Sequence, residues 1–99
     1  MWVAVLRLEL AIPGARSLKD RRQVVRSLKE RLISKFNVNC AEVDEAESWV
    51  RASLGVTACS NEKQYLEDLA NEISRYAGQD PGAMLAHVDR DVFRYESEA

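Results

Sequence analysis

Residues near the start of this chain alternate strictly, and this alternation limits the folds that the chain can adopt. Every second residue from Trp2 to Ile12 is apolar, whereas the residues between them include Arg7 and Glu9. Successive side chains of a β-strand point to opposite faces, so this pattern predicts a strand with one buried and one wetter face. A Pro-Gly pair follows and ends the strand.

The first helix is predicted directly after this strand. Ser17 is a good N-cap, and Asp20 places an acidic side chain near the positive end of the helix. Apolar residues recur at helical spacing until Phe36, and Asn37 breaks the pattern. Arg21 points nearly into the apolar arc, so we expect it to snorkel at the sheet edge or to pair with a carboxylate. The predicted core stripe comprises Leu18, Val25, Leu28, Leu32 and Phe36.

A β-hairpin is predicted next. Residues 38–43 have the composition of a short strand, and residues 49–60 alternate as a longer one. With the acidic turn between them centred near residue 47, Cys40 lies opposite Leu54, and the other cysteine lies beyond the end of the partner strand. We therefore expect no disulfide, in keeping with a reducing cytosol.

A second helix and a fourth strand complete the chain. Asn61, with Gln64 three residues later, predicts a capping box at the start of this helix. Gly78 is expected at the C′ position, and a following Asp-Pro-Gly turn prevents continuation. Residues 84–95 predict the last strand, with a polar interruption or bulge around Asp89.

The order strand, helix, strand, strand, helix, strand predicts an α+β fold. Two right-handed crossovers place both helices on one face of a four-stranded antiparallel sheet. This is the ferredoxin-like βαββαβ arrangement, expected as one domain over residues 1–99. The predicted shared core comprises Leu6, Leu8, Leu28, Leu32, Leu54, Val56, Leu69 and Ile73.

The chain also resembles a known family. Similarity to the YlxP-like family of small bacterial proteins covers about residues 2–75 and is carried by VAVLRLELAIPGARSLKDRR, KFNVNCAEVDE, WVRASLGV and SNEK. Its most specific run is IPGARSLKDRR, from Ile12 to Arg22. The resemblance implies a ferredoxin-like fold and a gene often found beside those for translation initiation and ribosome-maturation factors. It implies no activity and no functional residues. The acidic turn at residues 45–47 and the tail after Gly78 depart from the family pattern.

Several classes of chemistry are excluded by the residue inventory. His87 is the one histidine, and two cysteines cannot ligate an iron–sulfur cluster. Neither a GxxxxGK nor a GxGxxG phosphate-binding string occurs. Asp44, Glu45 and Glu47 lack the spacing of a calcium loop and are expected to form a solvated turn. We therefore predict no metal, no cofactor and no enzymatic activity.

The N-terminal segment MWVAVLRLEL is apolar but does not predict a membrane anchor. It is too short for a signal sequence or a membrane span, and Arg7 and Glu9 interrupt it. We expect a soluble, cytoplasmic protein without a membrane partner.

Positive charge is concentrated in residues 16–35. This segment holds eight lysines and arginines and two acidic residues, a net charge of +6. Because the whole chain has 14 basic and 16 acidic residues, the other 79 residues hold six and fourteen, a net charge of −8. Such an asymmetry indicates an acidic macromolecular partner, and RNA or the ribosome is the leading expectation.

A row of cations is expected on the first helix. Lys19, Arg22, Arg26 and Lys29 follow at spacings of three, four and three, so they share one side of the helix over about 15 Å. A phosphate backbone would bind this row with a steep salt dependence. Without a stacking platform, the row predicts only weak sequence selectivity. The alternative is a solvated helix face whose aliphatic stems cover the core edge.

The loop before this helix is a second candidate site. Gly14, Arg16 and Ser17 open onto a helix N-terminus, where N–H groups, a guanidinium and a hydroxyl could hold an anion. Acylphosphatases use a loop at this position of the same fold, with an arginine and an asparagine. Arg16 and Asn39 would take those two roles. The glycine-rich VQG-type loop of that family is absent from this sequence.

The sheet face away from the helices is the candidate protein interface. One aromatic residue at a strand end gives poor support for the base stacking that RNA-recognition modules use. The apolar residues of that face instead favour a homodimer through the face or a strand edge, since no third helix is available to cover it. The expected interface residues are Val3, Val5, Trp49, Thr57 and Cys59.

These features predict a small, cytosolic, non-catalytic protein that contacts RNA or the ribosome through its first helix. A structural or regulatory homo-oligomer assembled through the sheet is the alternative. An acylphosphatase-like hydrolase is the third hypothesis.

Overall fold

The computed structural model describes residues 1–44 and 48–97. Residues 45–47 of the acidic turn predicted over Asp44–Ser48, including the weak divalent-ion candidates Glu45 and Glu47, lie outside the described residues. The secondary structure consists of β1 (Trp2–Ala11), α1 (Leu18–Phe36), β2 (Asn39–Glu42), β3 (Arg51–Ser60), α2 (Lys63–Gly78) and β4 (Met84–Arg94).

The four strands form one sheet in the order β2-β3-β1-β4. All three pairings are antiparallel, and β1 pairs with β3 on one side and with β4 on the other. Both helices contribute to one buried cluster with the same sheet face. The predicted ferredoxin-like α+β fold is confirmed.

The core forms as the alternation of β1 predicts. Its even-numbered residues face the helices, with Trp2 half-buried and the others buried. All eight residues of the predicted core are buried. Two members of the predicted helix stripe differ: Leu18 is 40% exposed and Phe36 is half-buried. Leu18 is the first residue of α1, where the helix has only begun to cover the sheet.

One helix N-cap agrees with the prediction from the sequence, and the other does not. Ser17 Oγ accepts a hydrogen bond from the Asp20 N–H at 3.1 Å, as predicted. The predicted capping box of α2 is wrong: the N-cap is Glu62, with no capping hydrogen bond from its side chain. The Ser60 hydroxyl accepts from the Glu62 N–H instead, at 3.1 Å. Gly78 is the last residue of the helix rather than a left-handed C′ residue.

The hairpin register differs from the prediction by two residues. Cys40 pairs with Val56, not with Leu54, because the connection between the strands is longer and β3 begins at Arg51. Both cysteines are free thiols. Burial raises the pKa of the Cys40 thiol to about 11, so this side chain stays protonated at neutral pH.

The bulge in β4 lies at Ala86 rather than around Asp89. Leu10 pairs with Leu85 while Glu9 pairs with His87, which leaves Ala86 as the extra residue. The extra residue reverses the alternation of side chains between the two sheet faces. Leu85, before the bulge, and the apolar residues of β4 after it can therefore face the helices on the same side. The bulge therefore also fixes which side chains of β4 reach the open sheet face.

Candidate nucleic-acid interface

The four predicted cations lie together beside the core-facing side of α1. Lys19, Arg22 and Arg26 are exposed, and Lys29 is half-buried. Among the residues of 1–44 and 48–97, none of the four has a carboxylate oxygen within 4.0 Å of its charged nitrogens. Their positive charge is therefore not neutralised by a described neighbour.

Two shallow grooves follow this row of cations. The larger, of about 570 Å³, is lined in part by Lys19, Arg22 and Arg26. A smaller groove of about 240 Å³ adjoins it and is lined by Arg22, Arg26, Lys29, Val25 and Glu42. Because Arg22 and Arg26 line both grooves, the four cations form one continuous row.

Arg21 has a different role from its neighbours. Its guanidinium is buried, with 6% of the side chain exposed, and ion-pairs with Glu42 at 2.6 Å and with Asp44 at 3.0 Å. Arg21 Nε also donates to the Arg51 carbonyl at 2.8 Å. The expected pairing with a carboxylate is confirmed, and it joins α1 to both strands of the hairpin.

The basic residues near the end of α1 are also engaged. Arg31 ion-pairs with the buried carboxylate of Asp80 at 2.5 Å and donates to the Tyr76 hydroxyl at 3.1 Å. Asp80, followed by Tyr76, raises the pKa of Arg31. Lys35 Nζ lies 5.5 Å from the Tyr76 ring centroid and 5.8 Å from that of Phe36. These two cations stabilise the helix pair, whereas the row from Lys19 to Lys29 has no ion pair with a residue that the structure describes.

A second row of polar side chains runs beside the cations. The row consists of exposed residues at spacings of four, three and four, namely Gln23, Ser27, Glu30 and Ser34. All four line the larger groove. This row lies about 90° around the helix from the cations and faces away from the sheet. This row was not predicted from the sequence, although its residues have the same helical spacing that identified the cations.

The loop before α1 uses its own polar groups. Asp20 Oδ2 accepts from the Arg16 N–H at 3.0 Å, and the Ala15 N–H donates to the Ile12 carbonyl at 3.1 Å. Ser17 Oγ is engaged by the Asp20 N–H. An anion at Gly14, Arg16 and Ser17 would thus meet a carboxylate and few free donors, so the geometry does not favour this site.

The two residues of the hydrolase hypothesis are far apart. Arg16 precedes α1 and Asn39 follows it at the start of β2. A helix of 19 residues is about 28 Å long. The structure therefore does not bring the two side chains to one substrate.

The open sheet face brings together four of the five expected interface residues. Val3 pairs with Cys59 and with Phe93, and Val5 pairs in the next row with Thr57. Phe93 was missed because its face depends on the bulge in β4. Trp49 is 52% exposed and precedes β3, at the opposite end of the sheet from Cys59. It is therefore separate from this apolar cluster.

The middle of the open face is charged and predominantly acidic. Arg7 pairs with Asp89 across the strands and bonds Glu9 at 2.5 Å. Hydrogen bonds from the buried Ser53 hydroxyl and then from Arg7 lower the pKa of Glu9, so this carboxylate is ionised at neutral pH. Asp91 lies beside Val5. This face repels anions, unlike the outer side of α1.

Residues 1–44 and 48–97 contain no group of three or more His, Cys, Asp or Glu side chains placed to hold a metal ion. Neither of the two helices has the length and apolarity that a membrane crossing needs.

The fold and the exposed cations define a small ferredoxin-like α+β protein with one basic helix face. The chain belongs to the family described as "Protein of unknown function (DUF503)", whose model matches residues 3–90. It is also 28% identical over 88 residues to the uncharacterized protein YlxP of Bacillus subtilis (strain 168), an alignment that covers 89% of this chain and 90% of that protein. The resemblance seen in the sequence is confirmed.

Proposed function

We propose that this protein binds RNA, ribosomal RNA included, through the row of cations on α1. The observation that carries the proposal is that Lys19, Arg22, Arg26 and Lys29 line adjoining grooves without a carboxylate partner among the described residues. Arg21 and Arg31, on the same helix, are neutralised by Asp44 and Asp80. A phosphate backbone supplies the linear series of negative charges that such a row can bind.

The charge on the rest of the molecule supports the choice of α1. Residues outside 16–35 have a net charge of −8. The open sheet face carries Glu9, Asp89 and Asp91, so an RNA approaching it would be repelled. Repulsion there and attraction at α1 orient an approaching RNA toward the row of cations.

Reversing two of these charges is expected to weaken RNA binding without unfolding the protein. In Arg22→Glu/Arg26→Glu, both changed side chains are exposed and have no described ion pair. For single strands, the slope of log affinity against log salt is about −0.7 per phosphate, so we expect about −3 for the wild type and about −1.4 for the variant. Fluorescence anisotropy with a labelled single-stranded RNA over a salt series measures both slopes.

The matched control is Arg75→Glu/Arg94→Glu, which makes the same change in net charge away from α1. Both arginines are exposed, one on α2 and one at the end of β4. This variant is expected to keep a slope close to that of the wild type. Equal loss of affinity in both variants would show that net charge, not the row on α1, governs binding. Equal affinity of the wild type and Arg22→Glu/Arg26→Glu would leave α1 as a solvated face.

The second candidate function is a homodimer assembled through the open sheet face. Val3, Cys59 and Phe93 form a contiguous apolar row, with Val5 39% exposed beside it. The same face carries both signs of charge, so a second copy can be complementary to it about a two-fold axis. A contact of about 800 Å² per partner would suffice for a specific dimer.

The outer edge of β4 is a poorer surface for this dimer. Symmetric antiparallel pairing of two β4 strands requires residues of the same face to lie opposite each other. Near the middle of the strand, registers centred on Asp89, Arg90 or Asp91 each set like charges opposite one another, whereas a register centred on Val88 does not. Like-charge repulsion therefore disfavours several registers of edge pairing, which favours the face.

A lysine beside the apolar row is expected to abolish the dimer. Val5→Lys would bury a charge in the interface, whereas in the monomer the lysine lies beside Asp91 and the fold is retained. Val50→Lys is the matched control, because Val50 is 42% exposed and precedes β3 at the other end of the sheet. Sedimentation velocity should give a dimer for the wild type and Val50→Lys and a monomer for Val5→Lys. A wild type that remains monomeric at high micromolar concentration contradicts this candidate.

A further inference from the structure

The outer side of α1 presents two parallel rows with different chemistry. Lys19, Arg22 and Arg26 supply charge, while Gln23 and Glu30 supply hydrogen-bonding groups to the same groove of about 570 Å³. Residues three and four apart are neighbours on a helix surface, so each row is continuous. A ligand that fills the groove meets both rows at once.

Within the second row, Glu30 is the side chain that would recognise an RNA base, by a contact that does not depend on salt. It is exposed and lies four residues after Arg26, yet no ion pair joins them. A carboxylate is a poor neighbour for phosphates, because it repels them. It is a good acceptor for the exocyclic amino groups of cytosine, adenine and guanine, and it repels the O4 carbonyl that uracil presents where cytosine has its amino group.

We infer that α1 reads bases as well as phosphates: single-stranded RNA lies along the helix with its phosphates on the row of cations and the amino-bearing edges of cytosine, adenine or guanine, rather than uracil, on Gln23 and Glu30. This inference rests on the proposed function and names its ligand. Single-stranded RNA is required because its bases are free to turn their Watson–Crick edges toward the protein. The phosphate row alone would give no such preference.

The test compares oligocytidine, oligoadenosine and oligouridine of equal length by fluorescence anisotropy. One good contact of about 1 kcal/mol corresponds to roughly a fivefold preference, so oligocytidine or oligoadenosine should bind about fivefold more tightly than oligouridine. Glu30→Gln removes the charge but keeps the shape, and its amide can also donate to uracil. We expect tighter binding of all three RNAs and a preference close to one.

Glu72→Gln is the matched control, since Glu72 is an exposed glutamate on α2. It should keep the fivefold preference. Salt-dependent binding that is equal for all three RNAs in the wild type overturns base reading but leaves RNA binding by α1 intact. A preference that persists in Glu30→Gln overturns the role of Glu30. Absence of salt-dependent binding to any of the RNAs overturns both proposals.

Discussion

Replacing Leu54 by alanine is expected to lower the free energy of unfolding by about 2–5 kcal/mol. Leu54 is fully buried and occupies β3, where it pairs with Leu8 of β1 and with Glu42 of β2. The truncated side chain would lose its transfer free energy and leave a cavity beneath the helices. Urea unfolding followed by circular dichroism measures the change from the transition midpoint.

Leu18→Ala provides the matched control for Leu54→Ala. The same atoms are removed, but Leu18 is 40% exposed at the start of α1. We expect a cost of no more than about 1 kcal/mol, because surface substitutions outside special sites have small effects. Similar costs at the two positions would mean that Leu54 does not lie in the core.

The burial of the core was predictable because it depends on periodicity within single elements. Alternation along β1 identified its buried face, and helical spacing identified Leu28 and Leu32 on α1. The Ser17 cap was predictable for the same reason, since a cap bonds N–H groups within one turn. These are local properties that a sequence displays directly.

Features that depend on pairing between elements were harder to predict. The bulge at Ala86 is defined by the register of β4 on β1, and polarity near Asp89 pointed to the wrong position. The predicted start of α2 was one residue too early, because the N-cap is Glu62 rather than Asn61, and the Ser60 hydroxyl bonds the Glu62 N–H. Both errors concern choices between nearby residues, not the existence of the element.

In the candidate site, too, the features within one element were predictable and those between elements were not. Helical spacing placed Lys19, Arg22 and Arg26 on one row, which the structure brings together. Spacing could not show which basic residues of α1 have partners, because Arg31 bonds Asp80 from 49 residues away. The structure thus separates the cations of α1 that hold the fold together from those without an ion pair among the described residues.

Replacing Arg21 by methionine tests, through the free energy of unfolding, whether a paired cation of α1 holds the fold together. Methionine keeps part of the aliphatic stem but leaves Asp44, Glu42 and the Arg51 carbonyl without the guanidinium. Breaking a buried ion pair in this way typically costs about 3–5 kcal/mol. Because Glu42 is 40% exposed and can be solvated, we expect a loss near 3 kcal/mol in urea unfolding.

Most of that cost should come from Asp44. Its carboxylate is 10% exposed, and its Oδ1 atom is buried without a hydrogen-bond partner in the part of the chain that the structure describes. Arg21→Met/Asp44→Asn removes the uncompensated charge, so it should recover part of the stability lost in Arg21→Met. An equal loss in the single and double variants would assign the cost to packing of the Arg21 stem.

Arg22→Met, one position along the helix, completes the comparison. Arg22 is exposed and has no described ion pair, so its replacement should change the free energy of unfolding by about 0.5 kcal/mol or less. It should nevertheless reduce the salt slope of RNA binding by about 0.7, the contribution of one phosphate contact. Arg21→Met, studied below its unfolding transition, should leave that slope unchanged. If Arg22→Met and Arg21→Met instead lose stability and RNA affinity in the same proportion, α1 has no distinct binding row. The arginines with and without a described ion pair would then have the same structural role.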